Sequence, residues 1–219
     1  MIPLFHDLDG EAVLVFGGGT VGARKTRRFA DEARVVVISP EFDDAIVDRG
    51  IDDGNVNLVR AAPKPDDAAA WIDRMSPALV VAATDDAALN AAVEAAALDA
   101  DLLVNRTDRA GDRDPRSVVV PATVTDGSVR VAVSSGAQSP ALSKALRERI
   151  EAEIDGAGAM ADLSGTLRKT LRDRNVAPED RRAAIRAVVR SDRVWKALQE
   201  GGSKGSQEAE SVIEEVLEE

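Results

Sequence analysis

A glycine-rich segment directly after an apolar run is the feature that most limits what this chain can fold into. Residues 12–16 read AVLVF and residues 17–22 read GGGTVG, so Gly17, Gly19 and Gly22 fit the frame G-x-G-x-x-G. This frame is typical of a turn that joins a buried parallel strand to a helix. We expect Gly17 to allow the tight turn, Gly19 to let a pyrophosphate approach the backbone, and Gly22 to let the helix pack closely.

The alternation of short apolar runs with helical stretches continues as far as residue 105. Further strand-like runs are Arg34–Ile38, Val56–Arg60, Leu79–Ala83 and Leu102–Asn105, and helical stretches are Thr20–Asp31, Asp66–Met75 and Ala87–Asp99. Apolar strands separated by helices indicate a parallel sheet that is covered on both faces. The sequence therefore predicts an α/β fold, with a Rossmann-type NAD-binding domain over residues 1–112.

The pattern changes after this domain. Asp126-Gly127 separates the runs Ser117–Thr125 and Val129–Ser134, which predicts an antiparallel β-hairpin. This hairpin defines a region over residues 113–150, to which the family resemblance described below assigns dimerisation. From Ser139 onward the chain has a helical composition, and the predicted helices are Ala141–Ile154, Ala161–Arg174 and Pro178–Gln199. A helical C-terminal domain is predicted over residues 151–200.

The last segment, residues 201–219, begins GGSKGS and continues with six Glu and no basic residue over positions 208–219. Such a composition predicts a flexible acidic tail. The alternative is a docked amphipathic helix, because apolar residues recur at helical spacing at Val212, Ile213, Val216 and Leu217.

Composition excludes several kinds of chemistry. The chain has no Cys and a single His, His6, which excludes thiolate metal sites, iron–sulfur clusters and multi-histidine metal sites. No apolar run approaches the ~20 residues of a membrane span, and no signal peptide is evident, so we expect a cytoplasmic protein. A net charge of −11 argues against nucleic acid as a partner.

Only 6 of the 28 basic residues are Lys, and acidic residues number 39. An acidic, Lys-poor surface predicts a halophilic protein, because concentrated salt screens the repulsion between like charges. An acidic protein from a GC-rich mesophile is the alternative.

The predicted cofactor is NAD. The free N–H groups and partial positive charge of a helix N-terminus bind phosphates, and Glu41, 19 residues after Gly22, is placed to accept hydrogen bonds from a ribose. The absence of a basic residue beside Glu41 favours NAD over NADP. Arg24 and Lys25 weaken this preference, because they are placed to contact either a 2′-phosphate or the pyrophosphate. The predicted cofactor-binding residues are Gly17, Gly18, Gly19, Thr20, Val21, Gly22, Pro40, Glu41 and Thr84.

Five segments resemble those of one family. They are Pro3-Leu4-Phe5, VLVFGGGTVGARK at 13–25, AATDDAALN at 82–90, NRTD at 105–108, and AVSSGAQSPALSKALRERIE at 132–151. In this order they resemble the precorrin-2 dehydrogenase/sirohydrochlorin ferrochelatase family, the amino-terminal module of siroheme synthase. Gly22 stands where that family usually has Ala, and Ala137 where it often has Gly.

The resemblance implies an NAD-dependent oxidation of precorrin-2, a polycarboxylate tetrapyrrole, to sirohydrochlorin. It also implies a homodimer and, in many members, insertion of ferrous iron (Fe2+) as a second reaction. It assigns the catalytic role to Asp108, and substrate contacts to Asn105, Ser134, Ser135 and Gly136. No resident metal site is predicted.

Each assignment has a structural alternative. Asp108 lies in a charged loop and can be a salt-bridged carboxylate, Asp86 can cap a helix, and Asn90 and Asn105 can be polar anchors. The serine segment can be a helix-capping loop. Two other functions remain open: a non-enzymatic NAD-sensing module, and an oxidoreductase for another small substrate.

Overall fold

The computed structural model describes residues 2–47, 54–109, 114–136 and 138–218. The chain forms two compact units, Met1–Val120 and Pro121–Glu219. The predicted hairpin region, 113–150, is divided at Val120: its first residues belong to the first unit, and the rest belongs to the second unit together with the predicted helical domain and tail.

The first unit contains a five-stranded parallel sheet in the order β3-β2-β1-β4-β5. Its strands are β1 (Ala12–Phe16), β2 (Arg34–Ser39), β3 (Val56–Arg60), β4 (Leu79–Ala82) and β5 (Leu103–Arg106). It also contains the helices α1 (Thr20–Phe29), α2 (Ala68–Met75) and α3 (Ala87–Asp99), and a short 3-10 helix at Pro65–Asp67. The predicted α/β fold is confirmed.

The strands are apolar because the sheet is covered on both faces. Val13 and Val15 of β1 pack in one cluster with Phe29 of α1. Leu14 and Phe16 point to the opposite face, where α2 and α3 supply the neighbouring apolar side chains. Every residue of β1 and β4 is buried, so these two strands form the centre of the unit.

The order of the strands reverses between β1 and β4, and their carboxyl ends lie at one edge of the sheet. Gly17 N–H donates to the Ile38 carbonyl at 3.0 Å, and Ala83 N–H donates to the Phe16 carbonyl at 2.8 Å. In open α/β sheets ligands bind in the crevice at such a switch point. This edge is therefore the expected place for a bound ligand.

The long predicted strand Ser117–Thr125 is wrong as a single element. Val118 N–H donates to the Val104 carbonyl at 2.8 Å, so the first part of the run adjoins β5. The hairpin strand β6 covers only Ala122–Asp126 and pairs with β7 (Val129–Val133). The division falls at Pro121, which has no N–H to donate to a ladder.

The second unit continues with five helices in the part of it that the structure describes. They are α4 (Pro140–Glu153), α5 (Ala157–Asp173), α6 (Pro178–Arg190), α7 (Asp192–Glu200) and α8 (Gly202–Leu217). The predicted helix Pro178–Gln199 is interrupted at Ser191, whose hydroxyl accepts the Val194 N–H at 3.5 Å and caps α7.

The predicted flexible tail is wrong, because residues 202–217 form the docked helix α8. Ala209, Val212 and Ile213 are buried in one cluster with residues of α5 and α6. Gly205 packs against Leu198, where a Cβ would lie 2.7 Å from Cγ. The apolar stripe outweighs the acidic composition, since burial of that stripe offsets the entropy of ordering the segment.

Replacing Val212 by alanine is expected to lower the free energy of unfolding by about 2 kcal/mol, because the lost methyl groups leave a cavity. Val189→Ala, at a side chain 39% exposed on α6, is the matched control and is expected to cost less than about 1 kcal/mol. Urea titration of both variants measures the difference. Equal losses would contradict the docking of α8.

Among the helices that the structure describes, none is long and apolar enough to span a membrane.

Candidate functional site

The glycine-rich turn has the geometry that each glycine was expected to provide. Gly17 has φ of +111°, and a Cβ there would collide with the Ala83 carbonyl oxygen. A Cβ on Gly22 would collide with the Gly17 carbonyl oxygen, so α1 packs tightly on the turn. A Cβ on Gly19 would have no described atom within 4 Å, so its backbone faces open space.

This open space lies at the N-terminus of α1. Gly19 is the N-cap residue, no side chain caps the helix there, and its first turn holds no acidic residue. The N–H groups of Thr20 and Val21 and the positive end of the helix dipole are thus offered to a ligand. The arrangement fits the pyrophosphate of a dinucleotide.

The segment after β2 closes one side of the turn. A Cβ on Gly18 would collide with the Glu41 carbonyl oxygen and would lie 2.8 Å from the Phe42 ring, so this position also requires glycine. The Glu41 side chain is exposed, as contact with a ribose requires. Pro40 and Glu41 therefore lie beside the glycines, as predicted. Their contact with a cofactor stays a prediction.

Two residues at this edge escaped the sequence analysis. Arg60, the last residue of β3, donates from Nη1 to the Pro40 carbonyl at 2.8 Å, so a basic group does lie near Glu41. Asp43 accepts a hydrogen bond at 3.3 Å from the Thr20 hydroxyl. Pairing of β2 with β3 brings Arg60 to Ser39, a neighbour that local sequence does not reveal.

Thr84, just after β4, is held by Asn90 of α3. The Thr84 N–H and hydroxyl lie 3.1 and 2.7 Å from Asn90 Oδ1, and Asn90 Nδ2 donates to the Thr84 carbonyl at 2.9 Å. Asn90 is fully buried, so it is a polar anchor of this loop. Asp86 accepts hydrogen bonds from the N–H groups of Ala88 and Leu89, which confirms its predicted role as the cap of α3.

Asp108 follows β5 at the same edge and forms a bidentate ion pair with Arg106. Its Oδ1 lies 2.9 Å from Arg106 Nε, and its Oδ2 lies 3.1 Å from Nη2. Arg106 Nη1 donates to Glu94 of α3 at 3.0 Å. The Arg106 and Glu94 side chains are 14% and 10% exposed, whereas Asp108 keeps 28% of its side chain accessible.

This ion pair keeps Asp108 ionised. The hydrogen bonds from Arg106 hold the pKa of Asp108 below its usual range, and contact with Asn90 acts in the same direction against the effect of burial. The pKa of Arg106 is raised, first by its hydrogen bond to Asp108. Asp108 is thus a salt-bridged carboxylate, the structural alternative given for it, and its catalytic role stays a prediction.

Replacing Arg106 by glutamine is expected to cost about 3 kcal/mol of unfolding free energy at pH 7, because it leaves Glu94 and Asp108 without their shared cation. The folded-state pKa of Asp108 lies below the unfolded one, so its contribution is present above the unfolded pKa of about 4 and is lost as pH falls through the folded pKa. The wild-type advantage should therefore shrink in acid.

Urea titrations at pH 7 and in steps below pH 4 measure this difference. Arg147→Gln, which removes a helix-surface pair with Glu151, is the matched control and should cost under about 0.5 kcal/mol. An Arg106→Gln loss as small as that of the control would show that the network contributes little.

Asn105 is 4% exposed and lies within β5. Its Nδ2 donates to the Val118 carbonyl at 2.7 Å, and its Oδ1 has no hydrogen-bond partner among the described residues. This burial favours the polar-anchor interpretation of Asn105, and contact with a substrate stays a prediction.

The serine segment belongs to the second unit. The Ser135 hydroxyl accepts from the Ser139 N–H at 3.2 Å and lies 2.9 Å from the Ser143 hydroxyl. The Ser134 hydroxyl accepts from the Gly136 N–H at 3.2 Å, where Gly136 has φ of +62°. These bonds order the loop that leads into α4, and the predicted substrate contacts of the segment are not tested by them.

Within the described ranges there is no cluster of three or more His, Asp or Glu side chains that could hold a metal ion. The parallel sheet, the glycine turn at its switch point and the uncapped N-terminus of α1 together define a dinucleotide-binding protein of Rossmann type.

Comparison with known proteins narrows this class. The profile of a family described as "Putative NAD(P)-binding" matches residues 4–122. A precorrin-2 dehydrogenase of Methanosarcina barkeri is 32% identical over 218 residues, which cover 99% of this chain and 95% of that protein. The chain belongs to the precorrin-2 dehydrogenase/sirohydrochlorin ferrochelatase family, as its motifs indicated, and NAD is its cofactor.

Two further comparisons agree. Siroheme synthase 3 of Aeromonas hydrophila is 32% identical over 92% of this chain, which spans only 42% of that protein's length. The solved structure of SirC, a precorrin-2 dehydrogenase, has a TM-score of 0.73 at 23% identity and covers 96% of this chain and 100% of that one. This last comparison shows the shared fold.

Proposed function

We propose that this protein oxidises precorrin-2 to sirohydrochlorin with NAD. The observation that carries the proposal is the position of Asp108, which is ionised, partly exposed and at the same sheet edge as the glycine turn. A sensor module needs the glycine turn but has no use for such a carboxylate. Family membership supplies the substrate of the proposal.

The chemistry requires one acceptor for a hydride and another for a proton. When bound, NAD accepts the hydride. The first-turn N–H groups of α1 hold the pyrophosphate, and the open backbone at Gly19 admits it. Glu41 would accept hydrogen bonds from the adenosine ribose, and Thr84, held by Asn90, would contact the cofactor.

Asp108 Oδ takes the proton that the substrate loses. The Arg106 ion pair weakens Asp108 as a base, but the loss of a hydride leaves a cationic substrate whose proton is strongly acidic. A carboxylate that stays ionised at neutral pH suffices for that transfer. Arg106 therefore acts as a positioning residue that fixes the carboxylate and its charge.

A second reaction, insertion of Fe2+ into sirohydrochlorin, is proposed from the siroheme synthase relatives. Iron enters here as a substrate. The two ring N–H protons that it displaces would pass to Asp108 one at a time, the first being released to water before the second is taken. The homodimer and the cytoplasmic location stay predictions from the sequence.

An anaerobic absorbance assay tests the proposal. Precorrin-2 and NAD are supplied to the protein, and a sirohydrochlorin spectrum with matching growth of NADH is the expected result. A further shift to siroheme on addition of Fe2+, faster than without protein, would support the second reaction. Binding of NAD without change in the tetrapyrrole would overturn the enzyme proposal in favour of the sensor module.

A further inference from the structure

An arginine-lined cleft lies between α5 and α6, and the function proposed above assigns no role to the residues that line it. Its volume is about 540 Å³, and it is built wholly from the second unit. Pro178 and the buried Ile185 contribute its apolar wall. The guanidinium-bearing residues that line it are Arg168, Arg172, Arg181, Arg182 and Arg186.

Helical periodicity explains why these side chains converge. Arg168 and Arg172 are four residues apart on α5, and Arg182 and Arg186 are four residues apart on α6, so each pair shares one helix face. Arg181 is fixed in place, because its Nη1 donates to the Val176 carbonyl at 3.0 Å. The cleft thus gathers five positive charges on two packed helices.

These charges have little compensation from the protein itself. Arg172 Nε lies 3.8 Å from an Asp173 oxygen, but both side chains are more than half exposed, so this pair contributes little. Arg168, Arg182 and Arg186 form no ion pair with any carboxylate of the described residues. The chain has 39 acidic residues and a net charge of −11, so the lack of partners here is not a shortage of carboxylates.

We propose that this cleft binds a polycarboxylate small molecule, and that this ligand is the tetrapyrrole of the proposed function. Guanidinium groups bind carboxylates through two parallel hydrogen bonds, and five of them suit a ligand with several carboxylates. The volume lies within the range of small-molecule sites, and the apolar wall suits the body of such a ligand.

A polynucleotide fits the same charges less well. The overall charge of −11 repels a long polyanion, and the residues that line the cleft include no aromatic side chain on which a base could stack. The identification of the ligand as a tetrapyrrole rests on the proposed function, whereas its polycarboxylate character is inferred from the arginines alone.

Equilibrium dialysis of the full chain with a metal-free octacarboxylic porphyrin tests the proposal, with a tetracationic porphyrin as the probe of opposite charge. The double variant Arg182→Gln, Arg186→Gln is expected to raise the Kd of the octacarboxylic porphyrin about tenfold, and the corresponding double Lys variant by less. Arg190→Gln, at an exposed residue of α6 outside the cleft, is the matched control and should leave that Kd unchanged.

Competition with citrate distinguishes a tetrapyrrole from a small free polycarboxylate as the ligand. If citrate displaces the porphyrin only at a large excess over it, the tetrapyrrole is supported. If citrate displaces the porphyrin at an equal concentration, a free polycarboxylate is the ligand instead. A Kd that is the same in wild type and in the double Gln variant, with both folded by circular dichroism, would overturn the cleft proposal. So would tighter binding of a single-stranded oligonucleotide than of the porphyrin.

Precorrin-2 oxidation by the same proteins separates the two proposals. If the wild type oxidises precorrin-2 and the variant has an unchanged porphyrin Kd, the cleft proposal is rejected and the proposed function stands. If the variant binds the porphyrin more weakly than the wild type does, but the wild type does not oxidise precorrin-2, the proposed function is rejected and the polycarboxylate site stands.

Discussion

Replacing Asp108 by asparagine is expected to lower the rate of precorrin-2 oxidation by about 10²–10⁴-fold while NAD still binds. The amide has nearly the shape of the carboxylate but cannot take a proton, and general-base catalysis typically contributes a factor of that size. It also loses the charge that pairs with Arg106. Single-turnover absorbance measurements and NAD titration of the variant test both parts of this expectation.

Asp99→Asn is the matched control, because Asp99 is an exposed carboxylate at the end of α3. It should leave the oxidation rate within about twofold of wild type. Full activity of Asp108→Asn would remove the residue from the chemistry and leave it as a structural partner of Arg106. The unfolding free energy of each variant shows whether a loss of activity is caused by unfolding or by the loss of the carboxylate.

Replacing Gly19 by valine is expected to weaken NAD binding by about 100-fold without unfolding the protein. Gly19 has φ of −75°, which valine adopts, and a Cβ there has no described atom within 4 Å, so the added Cβ itself meets no obstacle. The valine would instead occupy the space through which the pyrophosphate approaches the N-terminus of α1. Isothermal titration with NAD and urea unfolding measure the two effects.

Gly17→Ala provides the contrast. Because Gly17 has a positive φ and a Cβ there would collide with the Ala83 carbonyl, this variant is expected to lose about 3 kcal/mol of unfolding free energy. If Gly19→Val binds NAD as wild type does, the open face of the turn is not the pyrophosphate site. If both variants lose only stability, the glycines serve the turn alone.

Local patterns in the sequence accounted for the first unit. Five apolar runs predicted the five strands, because a sheet covered on both faces favours apolar side chains over most of each strand. The frame at residues 17–22 predicted its turn, since steric demands on a backbone are local. Asp86 was predicted as a cap for the same reason, as its acceptor reaches N–H groups only two and three residues away.

The second unit shows where local patterns are insufficient. The charge of residues 208–219 predicted a solvated tail, but Val212 and Ile213 are buried among side chains of helices far away in sequence. Whether an amphipathic segment docks depends on whether a complementary apolar surface exists, and one segment's composition does not contain that information.

By itself, the sequence determined the α/β fold, the glycine turn and the family, because these depend on spacing along the chain. Only the tertiary structure decided that Arg60 lies beside Pro40, that Arg106 joins Glu94 to Asp108, and that arginines of α5 and α6 line one cleft. Such contacts join residues brought together by strand pairing and helix packing. The state of a charged side chain depends on the partners that the fold places around it, so the environment of Asp108 could be read only from the folded chain.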